Sequence, residues 1–213
     1  MDWSSQIDGY CERTDFTYWS EPINAVTNLA FIIAAIIMWR RCQALPAARL
    51  LCIILFAIGV GSYLFHTFAT QWAALSDVAP IGLFILVYLF LVNRDMAGLG
   101  WVRALLATAF FLPYAYVLVP ILNTLPFFAV SNFYWTVPLA LFIYAGWLGG
   151  QTGRGLAIGG VILCVSITLR SFDETLCHIV PIGTHFLWHC LNGIMLGWMI
   201  NVYRRHMLAT VRL

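Results

Sequence analysis

Seven apolar runs separated by brief polar segments organise this sequence. They predict helices at approximately 22–40, 49–68, 76–93, 101–120, 133–149, 155–171 and 184–203, the fifth and sixth being short. A membrane-crossing helix needs about 20 predominantly apolar residues, and the runs come close to that length. The first opens at Ser20-Glu21-Pro22 and stops at Arg40-Arg41; proline suits a first helical turn. Pro113, Pro120 and Pro138 fall within runs or at their ends, where neighbouring helices can satisfy the freed backbone groups. The sequence shows no internal repeat or low-complexity segment.

Composition turns that pattern into a class. Of 213 residues, 62% are hydrophobic and 9% charged, with a mean hydropathy of +0.87. An ordinary soluble domain carries roughly 25% charged residues. Too few charges remain to cover a water-facing surface, which excludes a soluble enzyme, a disordered chain and a nucleic-acid binder. A net charge of +2 argues for no polyanionic partner, and nothing predicts a protein partner. The expectation is one all-α domain over 1–213, a seven-transmembrane helix bundle that begins with an acidic segment at 1–21. That segment, which starts MDWSSQID, lacks the basic and apolar regions of a cleaved signal peptide.

Charge then orients the bundle. There is no lysine, and Arg40, Arg41, Arg49, Arg94, Arg103, Arg154, Arg204, Arg205 and Arg212 fall on one side of a seven-span arrangement. Arg13 and Arg170 fall on the other, together with Asp2, Asp8, Glu12, Asp15, Glu21, Asp173 and Glu174, while Asp95 joins the nine arginines. The positive-inside bias therefore predicts an external or lumenal N-terminus and a cytoplasmic C-terminus.

Ionisable groups within spans are expensive and are functional candidates by default. His66, Asp77, His185 and His189 are such groups, and the predicted topology brings all four to the outer ends of their helices. His185 and His189 are four residues apart, so both imidazoles project from one helical face, the spacing of a two-histidine metal grip. With His66 they form a three-histidine set with one open position, which suits catalytic zinc and its activation of water. Ser62 lies one turn deeper than His66 and could donate to an oxyanion; Asp77 could carry protons as acid and base. Two other readings stay open for these residues: histidines hydrogen-bonded within the packing, and a proton relay in a transporter or receptor. His178, in an outer loop, and His206, in the basic tail, are read as solvated.

Before the first span, Asp8, Glu12, Asp15 and Glu21 crowd four carboxylates beside the single cation Arg13. Calcium takes six to eight oxygens in flexible geometry, so the cluster is a calcium candidate; a solvated acidic segment is the other reading. Cys11 and Cys177 are the two cysteines in outer loops. They are a disulfide candidate if that side is oxidising, with two reduced thiols as the alternative. Cys42 is cytoplasmic, and Cys52, Cys164 and Cys190 are read as packing residues. Asn24, Asn28 and Asn192 could hold the imidazoles or carboxylates, or make polar contacts between helices. Trp19, Trp72, Trp101 and Tyr203 near span ends read as interface anchors.

Taken together, Tyr10-Cys11-Glu12-Arg13, the stretch Trp19 to Asn28, Gly61 to His66, Asp77 and His185 to His189 resemble the alkaline ceramidase family. That family sits in a wider superfamily of seven-span membrane hydrolases that includes the adiponectin-receptor-like proteins. The resemblance implies a zinc amidase cleaving ceramide, or a ceramide-like lipid, to a sphingoid base and a fatty acid. It implies His66, His185 and His189 as zinc ligands, Ser62 as oxyanion donor and Asp77 as acid/base. It also implies Asp8, Glu12 and Glu21 as calcium ligands, with Asp15 beside them, and a Cys11–Cys177 disulfide. Departures fall in the acidic segment: Gly9 stands where eukaryotic members carry an aspartate, and Thr14 where an asparagine is expected. The wording around Glu21-Pro22 is similar to the bacterial branch, whose substrates need not be ceramides, and implies a bacterial inner membrane; the predicted topology puts the active site towards the non-cytoplasmic side. The rival functions are hydrolysis of another lipid amide or ester, and a non-enzymatic receptor or proton-coupled transporter.

Overall fold

The computed structural model describes residues 2–210; Arg212, counted above among the cytoplasmic arginines, lies outside the described residues. The first apolar run forms α1 (Pro22–Thr27) and α2 (Leu29–Arg41), and the second forms α3 (Pro46–Phe68). The third forms α4 (Gln71–Leu91), which ends in a π-helical turn at Val92–Met96. Then come α5 (Trp101–Ala109), α6 (Phe111–Asn123), the short α7 (Pro126–Ala129), α8 (Asn132–Leu148), α9 (Gly150–Ser171), α10 (Asp173–Leu176) and α11 (His185–Thr210). No strand occurs among the described residues; Gln6 and Thr70 form an isolated antiparallel bridge.

The differences from the predicted boundaries have local causes. α4 starts at Gln71 and α9 at Gly150, both earlier than their apolar runs begin, because tertiary packing carries helix through polar and glycine positions that propensity alone disfavours. The fourth run breaks at Phe110, three residues before Pro113, whose ring clashes with a preceding carbonyl. The first run breaks at Asn28, where the Thr27 hydroxyl bonds back to the Ile23 carbonyl at 2.8 Å, a side-chain competitor for the helical ladder.

Neighbouring helices pack in chain order, and α11 returns against α2, α3 and α9 to close the ring. Glycines permit the closest approaches: a Cβ on Gly193 of α11 would lie 2.9 Å from Ala30 of α2, and one on Gly61 of α3 would collide with the Ser76 carbonyl of α4. Small residues at crossings are what membrane helices use to approach one another. The outward faces are apolar, with Val102, Leu105, Phe110 and Tyr116 strongly exposed. Five helical stretches (22–41, 46–68, 71–96, 101–123 and 150–171) are long and apolar enough to cross a membrane. The other two rods of the ring are α8, which has 17 residues, and α11, which carries three histidines, two asparagines and two arginines among its apolar residues. An apolar belt over several such helices makes this a multi-pass membrane protein.

Candidate metal centre

His66 comes from the last turn of α3, and His185 and His189 from the first two turns of α11. All three are buried, at 0%, 2% and 1% exposure. Among the described residues, this is the one group of three metal-ligating side chains whose ligand atoms all lie within 4.8 Å of one another. The ring centroids are 5.2 Å apart for His66–His185 and 4.7 Å for the two pairs that include His189.

Each ring keeps one buried nitrogen without a hydrogen-bond partner: Nε2 of His66, Nδ1 of His185 and Nε2 of His189. Leaving such a group unsatisfied costs about 1–3 kcal/mol. Convergent, orphaned imidazole nitrogens are the donor set that catalytic zinc uses, so the residues fit a bound divalent ion. On two of the rings the opposite nitrogen is held. His66 Nδ1 is 2.6 Å from Glu21 Oε2, and His189 Nδ1 is 3.0 Å from Thr27 Oγ1. Carboxylate and hydroxyl partners of this kind orient metal-ligating imidazoles. The Tyr10 ring stacks on His185 at 3.8 Å between centroids, and burial pushes its phenol above the ordinary range.

The start of α11 is fixed by Asp173, buried at 2% exposure. Its Oδ1 accepts from the backbone N–H of Thr184 at 2.6 Å and of His185 at 2.8 Å, and its Oδ2 accepts from Cys11 N–H at 3.0 Å. One carboxylate thus caps α11 and anchors the N-terminal segment. Gly183 makes this contact sterically possible: its φ is +66°, and a Cβ there would collide with the Asp173 carboxylate. Cys11 and Cys177 form the expected disulfide, with Cα atoms 5.2 Å apart, across the same junction.

Ser62 and Asp77 line one cavity with Ile58, Ile81, Phe84, Tyr134, Asn192 and Met195. The collision that a Cβ at Gly61 would make with Ser76 shows how closely α3 and α4 approach here, which sets Ser62 beside Asp77. Asn192 therefore borders the cavity, whereas Asn24 donates to Glu21 Oε2 at 3.0 Å and Asn28 to the Asn24 carbonyl at 2.9 Å.

The calcium expectation finds no support in the arrangement of the four acids, of which Glu12 and Glu21 are engaged by other groups. Both Glu12 oxygens accept backbone N–H groups, from Ile23 at 2.7 Å and Asn24 at 2.8 Å. Glu21 is shared among Arg13, His66 and Asn24. Asp15 is exposed and accepts from the Thr17 N–H and hydroxyl, and Asp8 is exposed. Burial raises the Glu12 carboxyl above its ordinary value despite its two N–H partners, and the Glu21 charge adds to the rise. Burial opposes Glu21 ionisation too, but the His66 hydrogen bond and the His66 and Arg13 charges outweigh it and hold that carboxyl low.

Two further departures concern polar residues. Tyr203 is buried and donates to Asp95 Oδ2 at 2.6 Å, so it is a packed residue, not an interface anchor. His206 pairs with Thr152 at 2.9 Å between Nδ1 and Oγ1; His178 is exposed as expected. The holding roles of Asp173, Arg13 and Thr27 had no signature in the sequence, since an acid or arginine between spans reads as solvated. The candidate pairing of Cys11 with Cys177 was the one signal pointing to that junction.

A ring of apolar helices enclosing three convergent imidazoles, with a carboxylate and a hydroxyl in an adjoining cavity, defines a membrane protein with a candidate metal centre. A family model described as ceramidase matches residues 2–210. The chain belongs to the ceramidase family, which makes it a hydrolase of amide bonds with a lipid substrate. Comparison with curated proteins gives no match.

Proposed function

We propose that the protein is a zinc-dependent intramembrane amidase that hydrolyses the N-acyl bond of ceramide or a ceramide-like lipid. The bundle has seven spans with its N-terminus outside and the catalytic centre towards the non-cytoplasmic side. The observation that carries the reading is that three buried histidines offer ligand atoms within 4.8 Å of one another and each keeps an unpartnered nitrogen, next to a cavity lined by Ser62 and Asp77.

His66, His185 and His189 would hold the ion, which when bound supplies Lewis-acid polarisation of the acyl carbonyl and activation of water. Asp77 takes the proton from the attacking water and returns it to the leaving amine. The Ser62 hydroxyl donates to the oxyanion that develops on the carbonyl. Apolar walls from Ile58, Ile81, Phe84 and Met195 receive the hydrocarbon and exclude bulk water. The cavity has about 40 Å³ of room, enough for a few water molecules, so a two-tailed lipid enters only as side chains along it move aside.

Metal analysis of protein purified without chelators, paired with a ceramide hydrolysis panel, tests the reading. One zinc per chain and release of fatty acid are expected, with His185→Ala losing both. Chain with less than one equivalent of zinc, or undiminished turnover by His185→Ala, refutes it.

A further inference from the structure

Arg13 is the one cation of the acidic segment, and it is buried at 6% exposure. Its guanidinium donates through Nε to Glu21 Oε1 at 2.5 Å, through Nη1 to the Asp15 carbonyl at 3.1 Å, and through Nη2 to the His66 carbonyl at 3.0 Å. The second Glu21 oxygen, Oε2, meets His66 Nδ1 at 2.6 Å. Arg13 therefore grips His66 twice, at its backbone directly and at its ring through Glu21. The His66 carbonyl lies in the last turn of α3, where helical carbonyls lack internal partners and a positive charge is favoured.

One carboxylate and two carbonyl oxygens around a positive charge are the contacts a hard cation makes, but calcium requires six to eight oxygens. Here the guanidinium takes these three, and the Glu12 carboxylate is committed to capping α1. We propose that Arg13 is a positioning residue for the metal centre: a tethered cation occupies the place a calcium ion would need, and it fixes the His66 imidazole through Glu21. The segment then works without calcium. The consequence for the metal rests on the zinc reading above; the exclusion of calcium does not.

The test uses the full chain in detergent, comparing wild type with Arg13→Ala and Arg13→Lys. Zinc affinity is measured by competition with a chromophoric chelator, and thermal unfolding with calcium chloride or with EGTA. Wild type should unfold at the same temperature in both. Arg13→Ala should bind zinc about 10–100-fold more weakly, the usual penalty for losing an outer partner of a metal ligand. Arg13→Lys should recover only part, because an ammonium cannot reproduce the planar fork; it decides the matter if the alanine variant does not fold. Wild-type zinc affinity in the folded variants overturns the assignment, as does a calcium-dependent rise in wild-type unfolding temperature. If wild type binds no zinc, the zinc reading falls and the calcium comparison alone decides the role of Arg13.

Discussion

Asp173→Ala is the sharpest probe of how the metal centre is held. The substitution removes one buried carboxylate and strands three N–H groups, those of Thr184, His185 and Cys11. Two of them open α11, and losing an acidic or polar cap costs about 1 kcal/mol, up to about 2. The third lies on another segment and is left without an acceptor, for about 1–3 kcal/mol more. The sum is about 3 kcal/mol, which in a chain of this size lowers the unfolding temperature by roughly 6–12 °C. Asp173→Asn should fall between wild type and alanine, because an amide offers one acceptor where the carboxylate offered two. The assay is thermal unfolding in detergent with a zinc chelator present, so that ligand linkage does not mask the change. Glu174→Ala, at the neighbouring exposed acid, is the control and should move stability by less than about 0.5 kcal/mol. If Asp173→Ala unfolds within about 2 °C of that control, Asp173 does not hold the start of α11.

Three further outcomes follow from contacts elsewhere. Gly61→Ala forces α3 away from the Ser76 carbonyl; it should cost about 1–3 kcal/mol and cut hydrolysis with zinc content unchanged, whereas Gly82→Ala, with open space around it, should be neutral in a combined stability and activity assay. Thr27→Val removes the hydroxyl beside His189 Nδ1 at nearly constant volume, and chelator competition should show zinc bound about 10-fold more weakly. Cys11→Ser with Cys177→Ser opens a link spanning 166 residues of sequence and should lose about 2–4 kcal/mol, read as a lower unfolding temperature that reductant no longer changes.

Much of the bundle was legible because its physics is compositional. Apolar runs near the length of a membrane crossing stand out against brief polar links, and His66, His185 and His189 stand out because imidazoles inside such runs are costly. What remained hidden depends on distance in space. Arg13 among four acids looks like local charge compensation, yet its guanidinium reaches a carbonyl 53 residues away. Asp173 sits in an acidic loop that reads as solvated, and only folding brings it under Gly183 and Cys11. The break at Asn28 is equally silent: Thr27 and Asn28 are isolated polar positions inside an otherwise apolar run, and the interruption arises from where the Thr27 hydroxyl bonds. The calcium expectation lacks support for the same reason: a count of carboxylates carries no information about which N–H groups already bind Glu12 and Glu21.

The hydrogen bonds also bear on whether these histidines form a metal grip or a proton relay. Thr27 Oγ1 lies 2.8 Å from the Ile23 carbonyl; when its single hydrogen is given to that carbonyl, the oxygen is the acceptor towards His189 Nδ1. The Glu21 carboxylate, also bound by Arg13, is likewise an acceptor towards His66 Nδ1. Both rings therefore carry their proton on Nδ1 and present an Nε2 lone pair to the shared centre. A relay needs donor and acceptor nitrogens to alternate along a line. Here two lone pairs and the His185 Nδ1 crowd into one buried space, and none of the three nitrogens has a hydrogen-bond partner. That arrangement is unfavourable for an empty relay and favourable around a cation, and the outer partners that enforce it are the ones the proposed substitutions remove.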